Sequence, residues 1–99
     1  PMDLRVMQGY GWPAELAEVI HVDHYGNLIT GLHAADASEH RLLRIGELEL
    51  PHARVFADAV PGGAFWYVNA MGLVEIAVNR GRARDLLRAD IGAAVSWLG

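Results

Sequence analysis

The sequence predicts an all-β fold: a small antiparallel sandwich or β-barrel-like domain with one short helix near residues 81–88. Three observations predict it. From residue 16 onward, apolar runs of strand length alternate with turn signals, the spacing of an antiparallel sandwich or barrel. Glu47-Leu48-Glu49-Leu50 and the row Val74, Ile76 and Val78 alternate with a period of two, as half-buried strands do. One stretch breaks that pattern: Ala83, Leu86 and Leu87 stand three and four apart, which is helical spacing.

The elements follow in order. Residues 1–15 carry Gly9, Gly11 and Pro13, show no period and read as an arm entering the domain, with Trp12 as a candidate anchor. Residues 16–99 form the domain. Strands are expected at 17–23, 27–33, 41–45, 47–50, 53–57, 65–70, 73–78 and 93–98. Leu48 and Leu50 are expected to face the core, as are Val74, Ile76 and Val78, with Glu75 pointing away. In the strand 65–70, one face takes Trp66 and the other takes Phe65 and Tyr67. Residues 34–39 read as a loop with room for one helical turn, Pro61-Gly62-Gly63 as a turn, and Met71-Gly72 as a hairpin tip. On the helix, Arg82, Arg84, Asp85 and Arg88 take the wet side; Gly81 precedes it, Gly92 follows it, and Asn79 is the expected cap. So short a helix needs tertiary packing to persist.

Composition narrows the class. The chain has 99 residues, 53% of them apolar and 20% charged, which describes one globular domain with a modest core. Its net charge of −4 and scattered Arg and Lys give no basic stripe, so nucleic acid is not an expected partner. The absence of cysteine excludes a disulfide scaffold and a thiolate metal site. The apolar runs are too short to span a bilayer, no signal peptide is visible, and a cytoplasmic place is expected. The chain starts at Pro1 and not at a methionine, so a piece of a longer protein is expected.

The chemistry concentrates in Asp23-His24-Tyr25-Gly26-Asn27, set between the apolar runs 19–22 and 28–32. A carboxylate, an aromatic ring and a carboxamide surround a glycine where the backbone can turn. Apolar walls with a few placed polar groups make a small-molecule site; a plain hairpin is the alternative. The five histidines, His21, His24, His33, His40 and His52, are scattered, and in a strand His21 and Asp23 face away from His24, which disfavours chelation. Ser38 and Ser96 have no Ser-His-acid setting, and Glu47 with Glu49 reads as a solvated hairpin face. Asn79-Arg80-Gly81 leads into the helix, where free N–H groups can meet an acceptor. Tyr25, Phe56, Phe65, Trp66 and Tyr67 are core by default, but two rings left facing a cleft would hold a base between them.

Three blocks in order resemble a known family. The segment Val19-Ile20-His21-Val22-Asp23-His24-Tyr25-Gly26-Asn27-Leu28-Ile29-Thr30 is similar to its V-x-x-I-D-x-F-G-N-x-x-T block. Phe56-Ala57-Asp58-Ala59-Val60-Pro61-Gly62-Gly63 is similar to Y-A-D-V-P-x-G, and residues 69–79 to N-S-x-G-x-L-E-I-A-V-N. Over residues 16–98 the chain thus resembles the carboxy-terminal domain of the S-adenosyl-L-methionine (SAM) hydroxide adenosyltransferases, a family that also holds the SAM-dependent fluorinase and chlorinase.

The resemblance implies a β-barrel-like domain preceded by a larger amino-terminal α/β domain. It implies displacement at the 5′-carbon of SAM by hydroxide, giving adenosine and methionine, with SAM as substrate and no cofactor. It implies a homotrimer in which SAM lies between the amino-terminal domain of one subunit and this domain of its neighbour. The groups that handle the nucleophile would belong to the amino-terminal domain, so this segment alone is expected to be inactive. Matched position by position, Asp23 would hold the methionine ammonium, Tyr25 and Phe56 would pack on adenine, and Asn27 would read its edge. Asn79 and Arg80 match the strand end whose backbone meets adenine, and Asn69, Ala70 and Met71 the loop near the methionine carboxylate. Ala70 stands where a Ser is frequent, Gly31 where an Asn is frequent, and Met71 and Val78 where fluorinase-like members carry arginines, which points to hydroxide and not halide. Two other readings stay open: a non-catalytic β-barrel module for oligomerisation or protein contact, and a metal-binding β domain built on the histidines.

Overall fold

The computed structural model of the chain describes residues 15–33, 35, 38, 40–53 and 62–98. Among the described residues, seven strands and one short helix follow one another: β1 (Leu16–Val22), β2 (Leu28–His33), β3 (Leu42–Ile45), β4 (Leu48–Leu50), β5 (Ala64–Val68), β6 (Leu73–Val78), α1 (Ala83–Leu87) and β7 (Val95–Leu98). All ladders between these strands are antiparallel, as the period-two runs predict. The expected arm lies outside the described residues except for Glu15, whose carboxylate accepts the His33 N–H at 2.8 Å. Most of the expected strand 53–57, and most of the expected loop 34–39, also lie outside them.

The strands make two open sheets, β1-β2-β6-β5 and β4-β3-β7. They are not one closed ladder, yet both seams carry backbone hydrogen bonds. At one seam the Val19 N–H donates to Ala93 O and the Gly92 N–H to Val19 O, each at 2.8 Å, beside a bridge from Glu18 to Ala94. At the other, Trp66 N–H donates to Pro51 O at 3.0 Å and Ala53 N–H to Trp66 O at 3.1 Å. The barrel-like character rests on these seams. In the first sheet β1 bulges against β2 on either side of Val19. Gly31 makes the bulge possible: a Cβ there would stand 2.5 Å from Leu16 O.

The core lies between the sheets. Val19, Leu28, Leu43, Trp66, Val74 and Ile76 are fully buried in it, and Trp66 donates its indole N–H to Arg41 O at 3.1 Å. Burying each large side chain contributes about 1.5–3 kcal/mol. Phe65, Ala53 and Ala77 form a second small cluster on the other face of β5 and β6, with Tyr67 against it, so the aromatic triplet divides as its alternation predicts.

Three expectations need correction. Leu48 does not face the core; it ends the β3–β4 hairpin opposite Ile45 and is half exposed, while Leu50 is buried. Leu86 is exposed: in a helix of five residues only Ala83 and Leu87, one turn apart, ride over β6, and Leu86 turns off that narrow stripe. Asn79 does not cap α1. Arg82 is the N-cap residue, with no side-chain capping bond, and the helix ends at Arg88 in the left-handed region (φ 52°).

Candidate functional site

The corner between β1 and β2 is held by Asp23. One carboxylate oxygen, Oδ1, accepts the Tyr25 and Asn27 N–H groups, both at 2.9 Å. The Asp23 N–H donates to Asn27 O and the Gly26 N–H to Asp23 O, both at 3.0 Å. This side-chain turn needs a positive φ at its fourth residue, and Gly26 supplies it at 83°. Tyr25 is thrust outward and is 70% exposed, whereas Asn27 is buried.

The corner does not stand alone. Arg82, just before α1, lays its side chain on Gly26: a Cβ at Gly26 would be 2.8 Å from Arg82 Cβ and 3.0 Å from its Nε. The Arg82 guanidinium donates to His24 O at 3.3 Å, and the Arg84 N–H donates to Gly26 O at 2.9 Å. A cleft of about 510 Å³ opens between the two segments, lined by Tyr25, Asn27, Val78, Arg80, Gly81 and Arg82. Arg80 enters it with a left-handed backbone (φ 65°), an unusual conformation for a residue with a side chain. Thus Tyr25, Asn27 and Arg80, singled out from sequence, converge. Asn79 adjoins them, but its N–H and carbonyl bind Gly63 O and the Gly62 N–H, so the free strand end begins at Arg80.

Asn69, Ala70 and Met71 form the β5–β6 hairpin tip, at the other end of β6 from Val78, roughly 17 Å away by strand rise. Asn69 Oδ1 accepts the Met71 N–H at 2.9 Å and the Leu73 N–H at 3.1 Å, and Gly72 N–H donates to Asn69 O at 3.0 Å. The Met71, Gly72 and Leu73 N–H groups are therefore engaged inside the loop. Met71 itself is 67% exposed.

The alternation of β6 predicts Glu75 pointing away from the row of Val74, Ile76 and Val78, and it does, yet it is buried to 5% exposure. Glu75 does leave the main core face, but Tyr67 and Asn69 cover the face it enters. The Tyr67 hydroxyl donates to Glu75 Oε2 at 2.6 Å and Asn69 Nδ2 donates to Glu75 Oε1 at 3.1 Å. Burial above all, then the Glu75 hydrogen bond and the carboxylates of Glu75 and Asp23, push the Tyr67 phenol well above its ordinary range. Asp23 thus lies within electrostatic reach of the Tyr67 phenol. The signal in sequence is a lone glutamate inside the apolar β6. Arg82 has no such signal, since its return onto Gly26 is purely tertiary. Phe56 lies outside the described residues.

Two other observations bear on chemistry. A second depression of about 460 Å³, between β3 and the segment after α1, contains none of the singled-out residues. Among the described residues, no three His, Asp or Glu side chains are grouped to hold a metal ion, and no helix is long and apolar enough to cross a membrane.

The fold and the cleft define a small antiparallel β domain with a ligand-sized opening where two turns meet one helix. Residues 17–96 match the family described as the SAM hydroxide adenosyltransferase C-terminal domain, and the chain belongs to that family. It is 47% identical over 77 residues to the (R)-S-adenosyl-L-methionine hydrolase of Salinispora arenicola, a match covering 77% of this chain and 30% of the relative. It is 36% identical over 81 residues to the (R)-S-adenosyl-L-methionine hydrolase of Thermus thermophilus, covering 82% and 31%. The chain therefore spans about a third of these relatives. A crystal structure of a conserved hypothetical protein from Thermus thermophilus superposes with a TM-score of 0.77 at 34% identity, over 87% of this chain and 38% of the other.

Proposed function

We propose that this domain supplies the nucleoside- and amino-acid-binding wall of an enzyme that hydrolyses SAM to adenosine and methionine. The observation that carries the reading is the convergence of Tyr25, Asn27 and Arg80 on one cleft, from segments distant in sequence. A flat ring, a carboxamide offering a donor beside an acceptor, and a backbone held in the left-handed region at Arg80 suit an adenine ring and its polar edge. Phe56 is assigned to the same purine. Asp23 keeps Oδ2 for a ligand ammonium while Oδ1 holds its turn. The loop of Asn69, Ala70 and Met71 faces the amino-acid carboxylate, and Asn79 with Arg80 flanks the purine. The relatives named as SAM hydrolases support the same chemistry.

The role of the domain is to bind and orient. Displacement at the 5′-carbon needs a nucleophile in line in a closed pocket, and none of the residues assigned here activates water. An amino-terminal α/β domain from a neighbouring subunit of a homotrimer completes the pocket and covers the exposed Tyr25 and Met71. This segment alone is inactive. SAM is the substrate, and no cofactor enters. Incubating the complete protein with SAM tests the reading: equal amounts of adenosine and methionine, independent of halide, are expected. A 5′-halo-adenosine as the main product, or no product, would refute it.

A further inference from the structure

The hairpin tip 69–72 carries a buried carboxylate that its own turn does not need. The 23–27 corner makes the same set of backbone bonds to Asp23, with an acid in the place of Asn69. At the tip, Asn69 uses Oδ1 for the Met71 and Leu73 N–H groups and hands its amide Nδ2 to Glu75. Glu75 interrupts the apolar run of β6, where a buried carboxylate is unfavourable unless it is fully hydrogen-bonded. Its other oxygen takes the Tyr67 hydroxyl at 2.6 Å. The chain Tyr67–Glu75–Asn69 therefore runs from near the end of β5, across to β6, to the side chain whose Oδ1 organises the loop.

We propose that Glu75 is a positioning residue for the amino-acid end of the site: through Asn69 it fixes the 69–72 loop relative to the sheet. This rests on the function proposed above for what the loop binds. Without Glu75 the Asn69 amide rotates, and the loop has to be ordered again when a ligand arrives. The purine cleft at the far end of β6 is untouched, so the two halves of the ligand respond differently.

The test uses the complete protein, with methionine and adenosine titrated separately by calorimetry and amide hydrogen exchange read at Met71 and Leu73. Glu75→Ala is expected to speed exchange at both amides and to weaken methionine binding by roughly tenfold, the worth of a hydrogen bond to a charged group. Adenosine affinity stays as it was. Glu75→Gln keeps an oxygen for Asn69 and restores methionine affinity, which a requirement for the charge itself would not allow. If Glu75→Ala fails to fold, Asn69→Asp carries the test: it keeps the turn's acceptor but sets an oxygen against Glu75, and the same selective loss is expected. Unchanged methionine affinity in a folded variant, or equal losses for both ligands, overturns the inference. A wild-type protein that binds no methionine overturns the functional reading beneath it instead.

Discussion

The turns 23–27 and 69–73 have the same backbone and different surroundings. In each, a side-chain oxygen of the first residue accepts the N–H groups two and four positions on. In each, the fourth residue is a glycine of nearly equal φ, 83° at Gly26 and 82° at Gly72. In each, the third residue, Tyr25 or Met71, is pushed into solvent. The difference is what meets the glycine. Gly26 is roofed by Arg82, whereas no atom of the described residues stands within 4 Å of a Cβ at Gly72. One turn therefore becomes the wall of a cleft and the other stays an open tip. Local sequence makes the turn, and tertiary contact makes the site.

The largest effect should come from Gly26→Ala. It adds a strained φ to a collision with Arg82, and a loss of about 2–4 kcal/mol in unfolding free energy is expected from denaturant titration. Gly72→Ala meets only the strained φ and should lose about 1 kcal/mol. Equal losses would break the distinction between roofed and open turns.

Asp23→Asn sharpens the comparison by making the first turn resemble the second. The retained oxygen keeps the turn, so stability should change by less than about 0.5 kcal/mol. Methionine binding should weaken by about 1.5–3 kcal/mol, because the ammonium loses a charged acceptor. Asn27→Ala should weaken adenosine or SAM binding by roughly 1–3 kcal/mol in a folded protein, read by calorimetry. Unchanged affinity would remove Asn27 from the site.

The smallest effect is alkaline. The Tyr67 phenol is raised in the folded protein from an ordinary value of 10.0. Below that value the phenol is neutral in folded and unfolded chains alike, and its stabilising contribution is complete. As pH rises above it, the unfolded chain loses the proton first, and stability falls until the folded value is passed. Tyr67→Phe should flatten this alkaline loss, measured as the pH dependence of the unfolding midpoint.

Much of the fold is legible in sequence because alternation is local. The strand runs, the hairpin tip at Met71-Gly72 and the split of Phe65 and Tyr67 from Trp66 all follow from a period of two. The errors share a cause. Pattern alone places Leu48 and Leu86, but their exposure depends on what another segment covers; Glu75 points away from the core row as its pattern predicts, and its burial there is equally a matter of tertiary cover. At the site, Tyr25, Asn27 and Arg80 emerge through a family resemblance, and their side-chain types suit a purine. Arg82 does not, because only the folded chain brings it onto Gly26. Gly31, a departure from the family pattern, has its physical reason in the β1 bulge over Leu16, which no reading along one strand reveals.

The central claim is that the roofed turn binds the purine and, through Asp23, the amino-acid ammonium, while the open tip binds the amino-acid carboxylate. The direct measurement is an NMR titration of the protein with adenosine and, separately, with methionine, following the backbone amides of Tyr25, Asn27 and Arg80 beside those of Met71 and Leu73. Adenosine should shift the first set and leave the second, and methionine should shift Met71 and Leu73. Adenosine shifts centred on the 69–73 turn, or no shift at Tyr25 and Asn27 at saturating ligand, would contradict it.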